Sequence, residues 1–384
     1  MGKICTALGL MSGTSMDGVD ASIIRSDGAD QFFSFFNEYC KFDKDLHEKM
    51  VSLRDRISTI ADLKKYSMEL EILERELTIF HIKIINKISE RYEKSTGESV
   101  DLIGFHGQTI FHDPKNKITK QLGDGKLLSQ LTKKTVVYDF RQNDIKNGGQ
   151  GAPLTPVFHN LIANYIFEKY EDLPNILNIG GISNVTITVK NNDYLKKNME
   201  AFDIGPGNCL IDEWIRKNSN KRFDESGLIG KSGKVNQLVL NQAIDNFELY
   251  SYDKSLDVKD FDISFVKGLS LEDGCATLTD FTAHLISKGI KFCDNKNKTI
   301  SKKYLICGGG RLNNFLVEKI QKYLHKFEYI SLSPIELYNL DGDFIESQAF
   351  GYLAIRTYLN KPITFPSTTG CKGPTTGGVI AKNF

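Results

Sequence analysis

The chain has 384 residues, long enough for two cores rather than one. Its 49 basic and 48 acidic side chains leave a net charge of +1, so it lacks the electrostatic footprint that binding nucleic acid or an acidic membrane surface requires. Charged residues make up 25% and apolar residues 40%, an ordinary soluble composition, and no apolar run is long enough to span a bilayer.

The first apolar strand is predicted over 4–11 with no signal peptide ahead of it, so a cytoplasmic protein is expected. Cys5, Cys40, Cys209, Cys275, Cys293, Cys307 and Cys371 form no C-x-x-C pair, and the histidines show no metal-ligand spacing. Reduced, mostly buried thiols are expected and a zinc site is not. A second strand is predicted over 19–24. Between the two strands lies a polar turn of Ser12, Gly13, Thr14, Ser15, Asp17 and Gly18. Its backbone N–H groups and hydroxyls suit an anion, and Asp17 and Asp20 could hold magnesium directly or through water. The same residues also serve as ordinary hairpin punctuation.

A third apolar segment covers 32–40. Helices are predicted over 44–56 and 62–94, the second from Leu63, Tyr66, Leu70, Leu73, Leu77, Phe80, Ile84 and Ile88 at three- and four-residue steps. A buried-type strand over 100–105 ends in His106-Gly107-Gln108-Thr109. A loop and short helix lead to a strand over 135–138, followed by Asp139-Phe140-Arg141 with Asp144, and then by the glycine-rich crossing Gly148-Gly149-Gln150-Gly151-Ala152-Pro153.

The second half repeats the first: strand 175–179, turn Gly180-Gly181-Ile182-Ser183-Asn184, strand 185–189. Ala201-Phe202-Asp203 then runs into Gly205-Pro206-Gly207-Asn208 and a helix over 209–217. An exposed loop is read over 226–234, a helix over 271–289, and a strand over 303–307 ending in Gly308-Gly309-Gly310. Helices follow over 312–324 and 345–359. Two strand–turn–strand units, each continued by alternating helices and strands, predict an α/β protein with two related lobes and a polar turn from each facing a nucleotide cleft. Neither a P-loop nor a dinucleotide G-x-G-x-x-G is present.

The run Gly9-Leu10-Met11-Ser12-Gly13-Thr14-Ser15-Met16-Asp17-Gly18-Val19-Asp20 resembles the signature of the anhydro-N-acetylmuramic acid kinases. Further matching blocks are His106-Gly107-Gln108-Thr109, Asp139-Phe140-Arg141 with Asp144, Gly149-Gln150-Gly151-Ala152-Pro153, Asn178-Ile179-Gly180-Gly181-Ile182-Ser183-Asn184, Phe202-Asp203 with Gly205-Pro206-Gly207-Asn208, Cys307-Gly308-Gly309-Gly310, and Glu346 with Ala349-Phe350. They span nearly the whole chain in the family's order. The resemblance implies the fold of actin, hexokinases and heat-shock chaperone ATPases, two ribonuclease H-like lobes clamping ATP with a C-terminal helix returning to the first. The lobes implied are 1–140 with 345–384, and 141–344. It also implies the reaction: a 1,6-anhydro sugar from recycled peptidoglycan is opened by water while O6 receives the γ-phosphoryl group of ATP, giving N-acetylmuramic acid 6-phosphate. One departure is Ile204, where the family usually has threonine, which removes a hydroxyl near the site.

Phosphoryl transfer is mostly positioning and charge stabilisation. Gly13, Thr14, Ser15 and Gly18 are the candidates for the β/γ-phosphate cradle of the first lobe, with Met16, Asp17, Val19 and Asp20 also expected to bind ATP and Mg2+ near Asp17 and Asp20. Gly180, Gly181 and Asn184 face them from the second, and Gly308, Gly309 and Gly310, opening a helix near Arg311, suit the nucleoside or its phosphates. Cleaving the anhydro bond needs a base for water at the anomeric carbon. The leaving oxygen is O6 itself, so the phosphoryl group takes the place of the proton a glycosidase acid would give. Asp203 is the expected base, although an aspartate before Gly-Pro-Gly also suits a helix cap. Glu346 is the second carboxylate, in a first helical turn that the helix dipole favours in any case. Arg141 and Asp144 could bind the sugar's lactyl carboxylate and hydroxyls, or pair with each other. His106, Gln108 and Thr109 at a strand end, with Gly205 and Asn208, complete the expected sugar contacts.

Three other readings stand beside this one: a kinase of the same fold for another sugar or a carboxylate, an ATP-binding clamp that transfers no phosphate, and a two-lobed binding protein that needs no ATP. The predicted helix over 62–94 offers a packing face for a homodimer.

Overall fold

The computed structural model describes residues 3–190, 199–247, 252, 254–297, 301–325 and 330–384. The chain divides into two compact units, residues up to Tyr165 together with Phe344–Phe384, and Ile166–Asp343. The sequence places residues 141–165 in the second lobe; here they group with the first unit.

In the first unit β1 (Cys5–Met11), β2 (Gly18–Ser26) and β3 (Phe32–Lys41) form an antiparallel meander. β1 is buried on both faces because it is central, so it reads as a continuous apolar run, whereas β3 at the edge is largely exposed. β4 (Leu102–Phe105) lies parallel to β1 and β7 (Thr135–Tyr138) parallel to β4. Between these two strands a separate hairpin pairs β5 (Gln108–Asp113) with β6 (Ile118–Leu122), where the sequence suggests only a loop. The short strand Val379–Ala381 extends the sheet beyond β7, giving the order Val379–Ala381, β7, β4, β1, β2, β3.

Leu8 and Leu10 of β1 pack in the core with Leu73, Leu77, Ile84 and Ile88. The opposite face carries Gly9 and Gly104, and the helix Ile345–Tyr358 lies directly on it. A Cβ at either glycine would collide with that helix's backbone, at the Ser347 and Phe350 carbonyls. Close approach of helix to sheet is what these glycines provide. Ser347 Oγ also meets Ser22 Oγ of β2 at 2.7 Å.

The helix Lys44–Arg56 begins where the sequence places it, with Asp43 capping the Leu46 N–H at 2.8 Å. The helix expected over 62–94 is two, Ile60–Lys65 and Ser67–Thr96. A Thr59–Asp62 capping box starts the first early, and Tyr66 leaves helical geometry with its ring 4.7 Å beneath the Arg56 guanidinium. The second stops at Gly97 in a left-handed conformation.

The second unit repeats the plan. β8 (Asn175–Ile179) is central, antiparallel to β9 (Ile182–Ile187) and parallel to β11 (Lys303–Cys307). β10 (Glu200–Pro206) flanks β9 and β12 (Ser331–Pro334) flanks β11, in the order β10, β9, β8, β11, β12. Apart from the added strand Val379–Ala381, the two sheets have the same connectivity about β1 and β8, so the unit inferred from two polar hairpins is a duplicated fold. The helix Leu271–Asn297 covers the sheet and runs further than the expected 271–289. The expected loop over 226–234 contains the short helix Leu228–Ser232, anchored by the buried Asp224 carboxylate, which accepts the Ile229 and Gly230 N–H groups at 2.8 and 2.9 Å. Among the described residues, no helix is long and apolar enough to cross a membrane.

Candidate active site

In the first unit the chain reverses between β1 and β2 at Ser12–Asp17, and the turn is pinned from beneath. Ser12 Oγ donates to Gln108 Oε1 at 2.5 Å, and Gln108 Nε2 donates to the Gly13 carbonyl at 3.1 Å, with Ser12 and Gln108 both buried. The Met16 N–H closes back on the Gly13 carbonyl at 3.2 Å. The Met16 carbonyl meets His47 Nδ1 at 2.7 Å, and Arg54 Nη1 donates to the Thr14 carbonyl at 3.3 Å.

With its carbonyls engaged, the turn shows its other side. Among the described residues no acceptor is found for the backbone N–H groups of Gly13, Thr14 and Ser15. Thr14 and Ser15 are exposed, and a Cβ on Gly13 would meet open space. Consecutive N–H groups without an internal acceptor can line an anion-binding concavity. Asp17 and Asp20 flank it, each partly exposed. Met16 and Val19, expected at the ligand, have side chains buried in the core, and Gly18 lies against the Tyr39 ring. No cluster of three or more histidine, cysteine or carboxylate side chains that could hold a metal occurs among the described residues.

A second constellation gathers where β4 ends. Arg141 donates through Nε and Nη2 to His106 Nε2 at 3.1 and 2.9 Å, and through Nη1 to the Gly151 carbonyl at 2.7 Å. His106 is buried, with Nδ1 2.8 Å from the Gly107 carbonyl. Burial, then the Arg141 charge, hold its pKa well below the usual value. Asp144, 1% exposed, uses one oxygen for the Gly151 N–H and the other for the Thr369 hydroxyl, both at 2.7 Å. Its carboxylate shapes the glycine-rich loop. Gln108 is likewise occupied by the turn, and Thr109 Oγ1 accepts from Gln121 at 3.2 Å. Glu346 is half-buried in the first turn of Ile345–Tyr358.

In the second unit the β8–β9 turn is tied to the segment after β10. The Gly207 N–H reaches the Gly181 carbonyl at 2.9 Å and the Asn208 N–H the Gly180 carbonyl at 2.8 Å. Asn184, where ATP contact was expected, has its Oδ1 buried with no hydrogen-bond partner, an orphan acceptor beside this turn. Asn208 Nδ2 lies 3.8 Å from where a Cβ on Gly309 would stand. The glycine run does not open a helix at Arg311. Gly309–Leu312 is a tight 3-10 turn, and the helix Asn314–His325 starts beyond it. Arg311 locks that turn, donating to the Gly308 carbonyl at 3.1 Å, to Asp343 at 2.6 Å and to Glu336 at 2.6 Å.

Asp203 sits at a bulge in β10, where the pairing with β9 slips between Asp203 and Gly205. Asp203 is 7% exposed, and its Oδ2 accepts the Leu256 N–H at 2.9 Å. Ile204, the bulged residue, is buried in the core against Gly289. The hydroxyl that isoleucine lacks is therefore missing from the core and not from the vicinity of Asp203.

Sequence reasoning misses Leu256, Thr369, His47 and Arg54. Each acts by contact across a large sequence separation, with no local motif to signal it.

A sequence model of the family described as anhydro-N-acetylmuramic acid kinase matches residues 5–383. The protein named anhydro-N-acetylmuramic acid kinase from Pelagibacter ubique (strain HTCC1062) is 52% identical over 387 residues, covering 100% of both chains. That from Agrobacterium fabrum (strain C58 / ATCC 33970) is 37% identical over 386 residues, again with 100% of both covered. Among solved structures, the activator of the 2-hydroxyisocaproyl-CoA dehydratase from Clostridium difficile with bound ADPNP is 11% identical and covers 92% of this chain and 96% of its own, with a TM-score of 0.42.

Proposed function

The chain belongs to the anhydro-N-acetylmuramic acid kinase family, phosphotransferases acting on a sugar hydroxyl in cell-wall recycling, and from that premise we propose how its own residues carry the reaction. The turn Gly13–Ser15 receives the terminal phosphates of ATP. The observation that carries this is its three consecutive N–H groups with no acceptor among the described residues, on a turn whose Gly13, Thr14 and Met16 carbonyls are hydrogen-bonded. Preorganised donors of this kind stabilise charge without reorganising during the reaction.

Asp203 is the base. The Leu256 N–H anchors its Oδ2, which fixes the direction of the carboxylate. Water attacks the anomeric carbon and gives its proton to Asp203. As the new C–O bond forms, the bond from the anomeric carbon to O6 breaks, and O6 forms its bond to the γ-phosphorus as ADP leaves. Arg141 receives the lactyl carboxylate, the sugar's one negative group. Glu346 orients the sugar or the attacking water.

The donor set of Asp17 and Asp20, hard carboxylate oxygens beside a phosphate-binding turn, fits Mg2+, which takes one or two carboxylates together with phosphate oxygens and water. When bound, the ion neutralises phosphate charge. We place the reaction in the cytoplasm, which seven cysteines with no disulfide among them suit. A homodimer through the exposed Met68, Ile72 and Ile79 of the helix Ser67–Thr96 is open to a sedimentation measurement.

The test is ATP turnover with 1,6-anhydro-N-acetylmuramic acid beside N-acetylmuramic acid, glucosamine and acetate, with Asp203→Asn as control. Product from the anhydro sugar alone, reduced about 10²–10⁴-fold in the variant, supports the coupled reaction. Consumption of ATP with another acceptor overturns the substrate, and turnover with none leaves a nucleotide-binding clamp.

A further inference from the structure

We propose that His106 is a positioning residue, whose ring holds the Arg141 guanidinium in the orientation that receives the sugar's lactyl carboxylate. This rests on the kinase reading above. The two hydrogen-bond partners of the ring settle its state without reference to solution titration. A carbonyl only accepts, so the Nδ1 facing Gly107 O at 2.8 Å carries the proton. A guanidinium only donates, so the Nε2 facing Arg141 at 2.9 and 3.1 Å is bare. The imidazole is therefore neutral, with its basic lone pair engaged. It has neither a proton at Nε2 to give nor a lone pair free to take one, which excludes it as the acid or base of the reaction. Its position is fixed too, since it is 4% exposed and its centroid lies 4.5 Å from that of the Phe350 ring.

The choice of histidine has a chemical reason. A guanidinium is planar, and engaging its Nε–Nη2 edge by His106 and its Nη1 by the Gly151 carbonyl sets that plane. Both acceptors are uncharged. An aspartate or glutamate at position 106 would hold Arg141 equally well but would neutralise it and compete with a carboxylate ligand. A neutral ring orients the cation without adding a negative charge beside it. Gly107 shapes this arrangement: its φ of +73° turns the chain so that the ring and its own neighbouring carbonyl meet.

The experiment compares His106→Asn with His106→Gln. Asparagine reaches the Nδ1 position and can still donate to Gly107 O, but offers Arg141 nothing at the Nε2 position. Glutamine reaches that position with an acceptor. KM is measured for 1,6-anhydro-N-acetylmuramic acid and for ATP, and the inhibition constant for 1,6-anhydro-N-acetylglucosamine, which lacks the lactyl group. The expected result for His106→Asn is a sugar KM raised about tenfold, with kcat and the ATP KM changed less than about twofold and the inhibition constant of the lactyl-free sugar unchanged. His106→Gln recovers most of the loss, and in an Arg141→Ala background His106→Asn adds nothing further. Equal weakening toward both sugars, or a fall in kcat alone, overturns the proposal. Equal binding of the two sugars by the unaltered protein overturns the lactyl contact at Arg141 and leaves the kinase reading standing. Turnover with no sugar at all defeats that reading itself.

Discussion

Ile204 lies against Gly289 of the helix Leu271–Asn297, so closely that a Cβ on residue 289 would collide with it. Neighbours on a strand ordinarily alternate faces, and the bulge in β10 makes Ile204 the unpaired residue between Asp203 and Gly205. Thus Asp203 is directed to the Leu256 N–H while Ile204 is driven into the core. Ile204→Thr is expected to change kcat by less than about twofold and to cost about 1–2 kcal/mol of stability, the penalty for a hydroxyl in an apolar site. Gly289→Ala should cost about 1–3 kcal/mol by overpacking. Urea midpoints and steady-state rates on the same preparations decide this. A several-fold rise in kcat with the threonine would put position 204 back in the site.

Gln108 ties the β5 start to the phosphate turn through Ser12 and Gly13. Gln108→Leu removes both bonds while keeping the volume, freeing the Gly13 carbonyl to tilt the N–H groups away from their ligand. Losing one buried hydrogen bond is worth about 1 kcal/mol, so the KM for ATP should rise about fivefold to tenfold with little change in the sugar KM. Titrations of each substrate at saturation of the other would show it. Equal increases in both would mean that the whole segment has moved.

The central strands and their hairpins are legible in the sequence because they carry continuous apolar runs broken by small polar turns. Strands β7, β8 and β11 fall on their predicted residues. The β5–β6 hairpin is not legible: Ile118–Leu122 is half-buried and mostly polar, so it shows no clear alternation. The break at Tyr66 is hidden for the opposite reason, since its apolar spacing continues smoothly through a residue whose ring is held by Arg56. In the site, motif positions show which residues gather but not their duties. His106 and Arg141 are far apart in sequence and meet because β4 and β7 are neighbours in the sheet. The motif position of Asp144 does not show that its two oxygens hold Gly151 and Thr369.

If Asp17 and Asp20 hold Mg2+ beside the phosphate turn, removing either charge should weaken the requirement for the ion selectively. Asp20→Asn is expected to raise the Mg2+ concentration for half-maximal rate about tenfold, with the sugar KM unaffected. Chelation should abolish turnover and excess Mg2+ restore it. Magnesium titrations at fixed free ATP make the comparison, and an unchanged midpoint in both Asp17→Asn and Asp20→Asn would move the ion elsewhere.

Buried histidines set how the fold responds to acid. His81 is 1% exposed, with Nδ1 2.8 Å from the Leu77 carbonyl and its ring 4.9 Å from Phe105. Burial lowers its pKa from 6.5 to about 4. His112 is also lowered to about 4, by burial and then by Arg141, and His159 to about 3 by burial. Between pH 6.5 and about 4 the unfolded chain binds protons at these positions that the folded chain does not. Stability is therefore fully present above pH 6.5 and declines as pH falls through that window. At about 1.4 kcal/mol per pH unit, His81 alone accounts for about 3 kcal/mol by pH 4. Urea midpoints from pH 7 to 4.5 should fall steeply for the unaltered protein and less steeply for His81→Leu, which has no proton to take up on unfolding. Parallel slopes for the two proteins would show that the proton is taken up elsewhere.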